Sequence, residues 1–367
     1  MKSEELRALL VLQHIPFLGD GSIKKLIQVF GSGLDVLQQK KHDLLRVDGI
    51  GAYKLQSFYD PAHQKLADQE LEFIHKNNIQ VTTYQDEGYP QRLKHCIDSP
   101  IVLFTRGNIE LNQKRILSIV GTRKVTRAGA TFIANFLEEL ALLDPIIVSG
   151  FAYGVDILSH KAAIDHKLQT IGVLGHGLNQ IYPKVHSKYV KVVEENGGFM
   201  TDFWSSDPFV HTNFLRRNRI IAGISEATIV IESAAKGGSL VTAELANGYS
   251  RDVFAVPGRV DDKQSEGCNN LIKQQKAHLL TSVADIMYIL NWSLEEKQTP
   301  VVQKKLFVEL DEDERKVFHY LKESNKQLLD IIALNCEFPT YKTASLLLNM
   351  ELKGVVRPLP GKLFELV

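Results

Sequence analysis

The chain has 367 residues, enough for two or three domains, and its 43 Lys and Arg balance its 43 Asp and Glu. A formal net charge of zero excludes a nucleic-acid binder that works through bulk charge, so the distribution of charge has to be read instead. Cys96, Cys268 and Cys336 lie far apart and form no CxxC pair, which excludes a disulfide framework or a zinc site built on them.

The opening stretch MKSEELRALLVLQHIPFLGD has Glu4 and Glu5 beside a short apolar run, unlike a signal peptide or a membrane span. A soluble, cytoplasmic protein with no membrane association is expected. Residues 1–78 read as a helical domain with two punctuation points, His14 to Ser22 and Leu45 to Gly51. Each is a helix end, a Gly-bearing turn and a new amphipathic helix, as in helix–hairpin–helix units. Such turns either offer N–H groups to a DNA phosphate or pack helices against each other.

Over residues 79–292 the periodicity changes. Short apolar runs recur between helical segments: ILSIVG (116–121), PIIVSG (145–150), TIGVLG (170–175), ATIVIES (227–233) and DVFAVPG (252–258). This alternation predicts right-handed crossovers and a parallel, Rossmann-like sheet covered on both faces. Ligands of such sheets bind beyond the carboxyl ends of the strands, where these glycines fall. No GxGxxG follows the first strand and no GxxxxGK[ST] occurs, so neither an NAD cofactor nor a nucleotide triphosphate has its usual cradle. No metal or cofactor is expected.

Residues 293–308 are polar and read as a linker. Residues 309–367 read as three helices and two short strands around Pro360-Gly361, a winged helix. The helix after Pro339 would enter a DNA groove in such a unit, yet it offers only Lys342 and Lys353 as cations, which favours a structural or protein-binding wing.

Two segments carry the candidate site. From Leu111 to Leu137 there are five cations (Lys114, Arg115, Arg123, Lys124 and Arg127) and no acid, beside the turn at Gly121. Later, Arg216, Arg217 and Arg219 precede the buried run Ala227 to Ile231, and Lys236-Gly237-Gly238-Ser239 then opens a helical pattern. Glycines allow a close backbone approach, helix N–H groups favour an anion, and guanidinium forks suit phosphate oxygens. A phosphate-bearing ligand follows. Ser239 adds a hydroxyl. Three arginines so close on a helix cannot all face one ligand, and Arg217 is expected to point outward. Asp156 is expected to order its own turn, Tyr182-Pro183 to close a loop, and Phe151, Tyr153 and Phe214 to be available for base stacking or core packing.

Taken together, VGTRKVTRAG (120–129), SGFAYGVDILSHKAA (149–163), TIGVLGHGLNQIYP (170–183), FLRRNRIIAGIS (214–225), ESAAKGGSLVTAELA (232–246), VFAVPG (253–258) and GCNNLI (267–272) resemble the DNA-processing protein A (DprA/Smf) family. Seven motifs in order are specific; at both ends of the chain the resemblance is architectural only. The chain departs from the family pattern at Asn179, His186, Thr201-Asp202 and Gly238. The resemblance implies binding and protection of single-stranded DNA during natural transformation, loading of the RecA recombinase and a homodimer; it establishes no catalytic reaction, and a non-enzymatic protein is expected. The competing enzymatic resemblance is to lysine-decarboxylase-like (LOG) phosphoribohydrolases, whose Arg and Glu would correspond to Arg219 and Glu244, although Lys236 stands where their Pro belongs.

Overall fold

The structure is a computed structural model that describes residues 3–111, 115–293, 310–359 and 362–366. Lys114, nearly all of the expected linker and the Pro360-Gly361 turn lie outside the described residues. The described residues through Ser293 form one compact unit, and those from Leu310 form a second.

The first unit is built on nine strands: β1 (Gln80–Thr83), β2 (Val102–Gly107), β3 (Ile116–Val120), β4 (Ile146–Ser149), β5 (Thr170–Val173), β6 (Gly197–Thr201), β7 (Ala227–Val230), β8 (Asp252–Ala255) and β9 (His278–Leu279). Their order in the sheet is β1-β2-β6-β5-β4-β3-β7-β8-β9. The pairs from β6 through β9 are parallel, whereas β2 runs antiparallel to both β1 and β6. All five apolar runs are strands at the parallel heart of an extended Rossmann-like sheet.

Burial on both faces explains why those runs are apolar without alternation. In β3, Ile116 and Val120 join one buried cluster, while Leu117 and Ile119 join another on the opposite face. The helix Arg127–Leu140 covers the second face through Ile133, Phe136, Leu137 and Leu140, spaced for one helical stripe. Ile220, Ile221, Ala243 and Ala246, from the helices Asn218–Ile224 and Gly238–Gly248, cover the first.

Four strands of this sheet escaped the sequence reading. Strand β6 starts with Gly197-Gly198, residues of low strand propensity. A Cβ on Gly197 would overlap the backbone of Thr170, and one on Gly198 would overlap that of Arg106. Close approach of β5, β6 and β2 therefore sets these residues, and local preference gives way to it.

The amino-terminal helices share a core with this sheet. Leu9, Leu12, Ile23 and Leu26 belong to the same buried cluster as Val102, Phe104, Phe199 and Trp204. Polar links reinforce the junction: Ser205 donates its N–H (3.0 Å) and hydroxyl (2.5 Å) to the buried Glu70 carboxylate, and the Trp204 indole donates to Gln13 (2.8 Å).

The second unit has the helices Glu312–Ser324, Leu329–Asn335 and Thr340–Leu352, with a sheet of β10 (Gln327–Leu328), β12 (Leu363–Leu366) and β11 (Val356–Leu359) in that order. Val317, Leu321, Ile332, Leu347 and Val356 form its core. It is a winged helix. Its two candidate DNA cations are held in ion pairs, Lys342 with Asp313 (2.6 Å) and Lys353 with Glu314 (2.5 Å).

Candidate nucleic-acid interface

Strand β3 marks the point where the chain changes direction across the sheet, with β4 to β6 on one side and β7 to β9 on the other. The loops leaving β3 and β7 diverge, and the crevice between them is the usual ligand position in open α/β sheets. A groove of 370 Å³ lies there, lined by Gly121, Thr122 and Arg123 after β3, by Lys236 to Ser239 after β7, and by Phe214 and Asn218.

The β3 loop is braced from below. Thr122 donates its N–H to Glu232 O (2.8 Å) and accepts from Val155 N–H (3.1 Å). Gly154, at φ +75°, lets the loop after β4 press on the carbonyls of Thr122 and Arg123, where any Cβ would collide. The buried Glu232 carboxylate takes the N–H (2.9 Å) and hydroxyl (2.5 Å) of Thr126, which caps the next helix through Gly129 N–H. Arg123 and Lys124 stand exposed on this brace, and neither has an ion-pair partner among the described residues. The linear cationic cluster is divided in space. Arg115 sits at the opposite end of β3, donating to Leu143 O and Ser293 O, and Arg127 lines a separate groove with Thr131 and Phe132.

Across the groove, Lys236 and Gly238 are exposed. Gly237 caps the helix Gly238–Gly248 with extended backbone and no side chain, so the first N–H groups of that helix remain open. The Ser239 hydroxyl, expected at the ligand, instead turns inward to donate to Ser233 Oγ (3.0 Å). Ser239 therefore presents only its backbone to the groove.

The arginine triplet resolves against the sequence expectation. Arg217 is buried, donating to Val173 O, with Asp156 at 4.0 Å. Burial pulls its pKa down to about 10 despite Asp156 and pushes that of Asp156 up despite Arg217. Asp156 also accepts Ala152 N–H (3.3 Å), so it orders its turn. The outward side chain is that of Arg216, over the Phe203 ring at 5.3 Å. Arg217 keeps helical angles (φ −63°, ψ −24°) between His211–Arg216 and Asn218–Ile224, so Arg216 and Arg217, adjacent in the chain, leave it on different faces.

The model of the DNA recombination-mediator protein A family matches residues 80–291, and the DprA winged helix domain matches residues 308–362. The chain belongs to the DNA recombination-mediator protein A family. It is 32% identical over 303 residues to protein Smf of Escherichia coli strain K12, covering 81% of this chain and 80% of that protein. It is 35% identical over 252 residues to DNA processing protein DprA of Bacillus subtilis strain 168, covering 68% and 82%. Among solved structures, DNA processing protein A from Streptococcus pneumoniae superposes with a TM-score of 0.64 at 28% identity, over 78% of this chain and 98% of that one. DNA processing protein A from Helicobacter pylori, described for its single-stranded DNA binding mode, superposes with a TM-score of 0.52 at 28% identity, over 58% and 96%.

In this family member an aromatic wall adjoins the groove. Phe151 is core, at 2% exposure, but Tyr153 is 46% exposed and Phe214 lines both the groove and the adjoining hollow. Tyr182 and Phe209, at 37% and 42% exposure, join them, with the Tyr182 ring 4.9 Å from Phe209 and 5.7 Å from Phe214. Tyr182 thus adds an exposed face besides closing its loop. Phe209 sits in an irregular loop with no periodicity to reveal it. Beneath this wall, His160 Nε2–H donates to Gly150 O (2.5 Å) and Nδ1 takes the Thr170 hydroxyl (2.7 Å); burial pushes its pKa down to about 4, so it is neutral.

The enzymatic pairing is not assembled in the groove. Arg219 is held by Asp202 (2.5 Å), Asp20 (3.0 Å) and Asp98 O, while Glu244 is exposed on its helix and lines no part of the groove. Burial lowers the pKa of Arg219, but Asp202 and Asp20 outweigh it and hold the group well above the usual arginine value. Among the described residues, no cluster of His, Cys, Asp and Glu could hold a metal ion, and no helix is long and apolar enough to cross a membrane.

Proposed function

We propose that this chain binds single-stranded DNA along the carboxyl edge of its sheet. Arg123, Lys124, Arg216 and Lys236 serve as phosphate contacts, and the backbones of Gly121, Gly237, Gly238 and Ser239 allow close approach. The observation that carries the reading is the pairing of exposed, unneutralised cations on braced loops with an exposed aromatic wall. Phosphate contacts fix the strand without reading sequence, and Tyr153, Tyr182, Phe209 and Phe214 offer faces that any unpaired base can use. Duplex DNA keeps its bases stacked on one another and out of their reach.

In the cell, the protein acts in the cytoplasm during natural transformation, covering the incoming strand, loading RecA onto it and working as a homodimer. The family resemblance supports this part of the reading. Competition between single-stranded and duplex DNA for the purified protein is the test: single strands win, and affinity falls steeply with salt as counterions are released. Equal affinity for the two forms, or a flat salt response, overturns the assignment. Sedimentation with RecA and DNA tests the assembly: a strict monomer at micromolar concentration counts against the dimer, and unchanged RecA filament formation counts against loading.

A further inference from the structure

The amino-terminal helices carry a feature that the groove does not use. Phe17 and Tyr53 are 60% and 56% exposed, and their rings lie against each other with centroids 4.4 Å apart at 38°. Phe17 comes from the first Gly-bearing turn and Tyr53 from the short helix Ala52–Leu55 that follows the second, so the two hairpins meet in an aromatic pair at the surface. Phe17 has φ +67°, a conformation that sterics disfavour for a bulky residue. Its neighbour Leu18 is buried, and the effect of the turn is to hold the Phe17 ring out in water. Such outliers point to a use.

The surroundings suit a nucleic acid. Lys54 donates to Gly49 O and Ser22 Oγ (both 2.8 Å), which fixes an ammonium between the two turns. Lys25 is exposed nearby and is paired loosely with the fully exposed Asp48 at 3.8 Å. A Cβ at Gly19 or Gly51 would meet nothing within 4 Å, so both turns are open to close approach.

The residues on either side of Phe17 line a cleft that reaches the helix His211–Arg216, which also borders the groove. Pro16, Leu18 and Gly19 line a cleft of 340 Å³ whose other wall includes Asn213 and Arg216; of its three carboxylates, Asp20 and Asp202 are paired with Arg219 and Asp207 accepts Trp204 N–H. The intervening Phe214 and Leu215 line the groove itself. Arg216 is thus a cation between two aromatic surfaces.

We propose that a single strand seated in the groove continues over Arg216 and along this cleft, and that Phe17 and Tyr53 stack an unpaired base of the extension. This second contact rests on the reading of the groove as a single-strand site, and it lengthens the footprint beyond the sheet edge. Stacking faces without base-edge donors make it indifferent to sequence.

The test compares wild-type full chain with Phe17→Ala/Tyr53→Ala, using labelled oligothymidylates of roughly six and roughly twenty nucleotides. The short strand fills the groove alone and is expected to bind both proteins equally. The long strand is expected to bind wild type about tenfold more tightly than it binds the double alanine variant. A Tyr53→Phe variant keeps the stacking face and retains long-strand affinity. An unchanged long-strand affinity in the alanine variant overturns the extension while leaving the groove intact. Equal losses for both lengths also overturn it, because the pair would then act through the fold. Failure of wild type to bind either length overturns the groove and its extension together.

Discussion

The guanidinium of Arg219 lies 3.0 Å from the carboxylate of Asp20, a residue 199 positions earlier that opens the helix Asp20–Phe30. The same nitrogen meets Asp202 at 2.5 Å just beyond β6, and Asp20 also accepts Ile101 N–H (3.1 Å) ahead of β2. One half-buried cation thus pins the amino-terminal helices to two strands of the sheet. It is a structural residue.

Arg219→Ala is therefore expected to destabilise the first unit strongly, by about 3–5 kcal/mol, because it leaves two inward carboxylates without their cation. Arg216→Ala, three residues away and exposed, leaves stability within about 0.5 kcal/mol. Urea unfolding of the two variants measures the contrast; comparable midpoints would contradict the pinning role.

His160 gives the fold a sensitivity to acid. Its folded-state pKa is depressed to about 4, against the ordinary value near 6.5 in the unfolded chain. Below pH 6.5 the unfolded chain takes up a proton that the folded one refuses, so stability falls as the pH drops toward 4. The loss from this one group is on the order of 3 kcal/mol. His160→Gln, which keeps a donor for Gly150 O, is expected to flatten the stability–pH curve between pH 6.5 and 4. An unchanged slope would show that His160 does not supply it.

The parallel heart of the sheet and the glycine turns beyond it were legible because burial on both faces writes itself as apolar runs, four of the five ending in Gly. Strands β1, β2, β6 and β9 were not. Their pairing is decided by neighbours far along the chain, and in β6 by the space available to Gly197 and Gly198. At the site, Arg123, Lys124, Lys236 and the Gly237-Gly238 cradle fall where the strand ends predicted. The arginine triplet does not, because helical spacing says that the three diverge but not which one the core claims; Val173 and Asp156, far along the chain, claim Arg217. Ser239 turns inward for a similar reason: its rotamer is set by Ser233, six residues earlier, in a contact no local pattern records.

The winged helix has its own core, separate from those of the sheet. A chain truncated after Ser293 is expected to melt at the same temperature as the first unit of the full protein and to retain binding of short single strands. Lys342 and Lys353 already have carboxylate partners, so removing them takes away little free positive charge. Loss of all DNA binding by the folded truncation would make the wing the primary site.

Arg123 and Lys236 face the same groove from opposite banks, on loops fixed by Glu232 and by the start of the helix Gly238–Gly248. Neither side chain braces the fold, so Arg123→Ala and Lys236→Ala are expected to leave the unfolding midpoint unchanged. Each is expected to weaken single-strand binding about fivefold to tenfold at moderate salt, the range for one charge-assisted phosphate contact. Because each contact releases condensed counterions, each change also lowers the slope of log affinity against log salt by roughly 0.7 for a single strand. The double variant is expected to lose both increments, since in the proposed complex the two cations touch different phosphates and share no partner. Salt titrations of all four proteins measure this directly. Losses in affinity without a shallower slope would mean that these residues shape the groove rather than contact the strand. Wild-type affinity in the folded double variant would move the DNA site elsewhere on the protein.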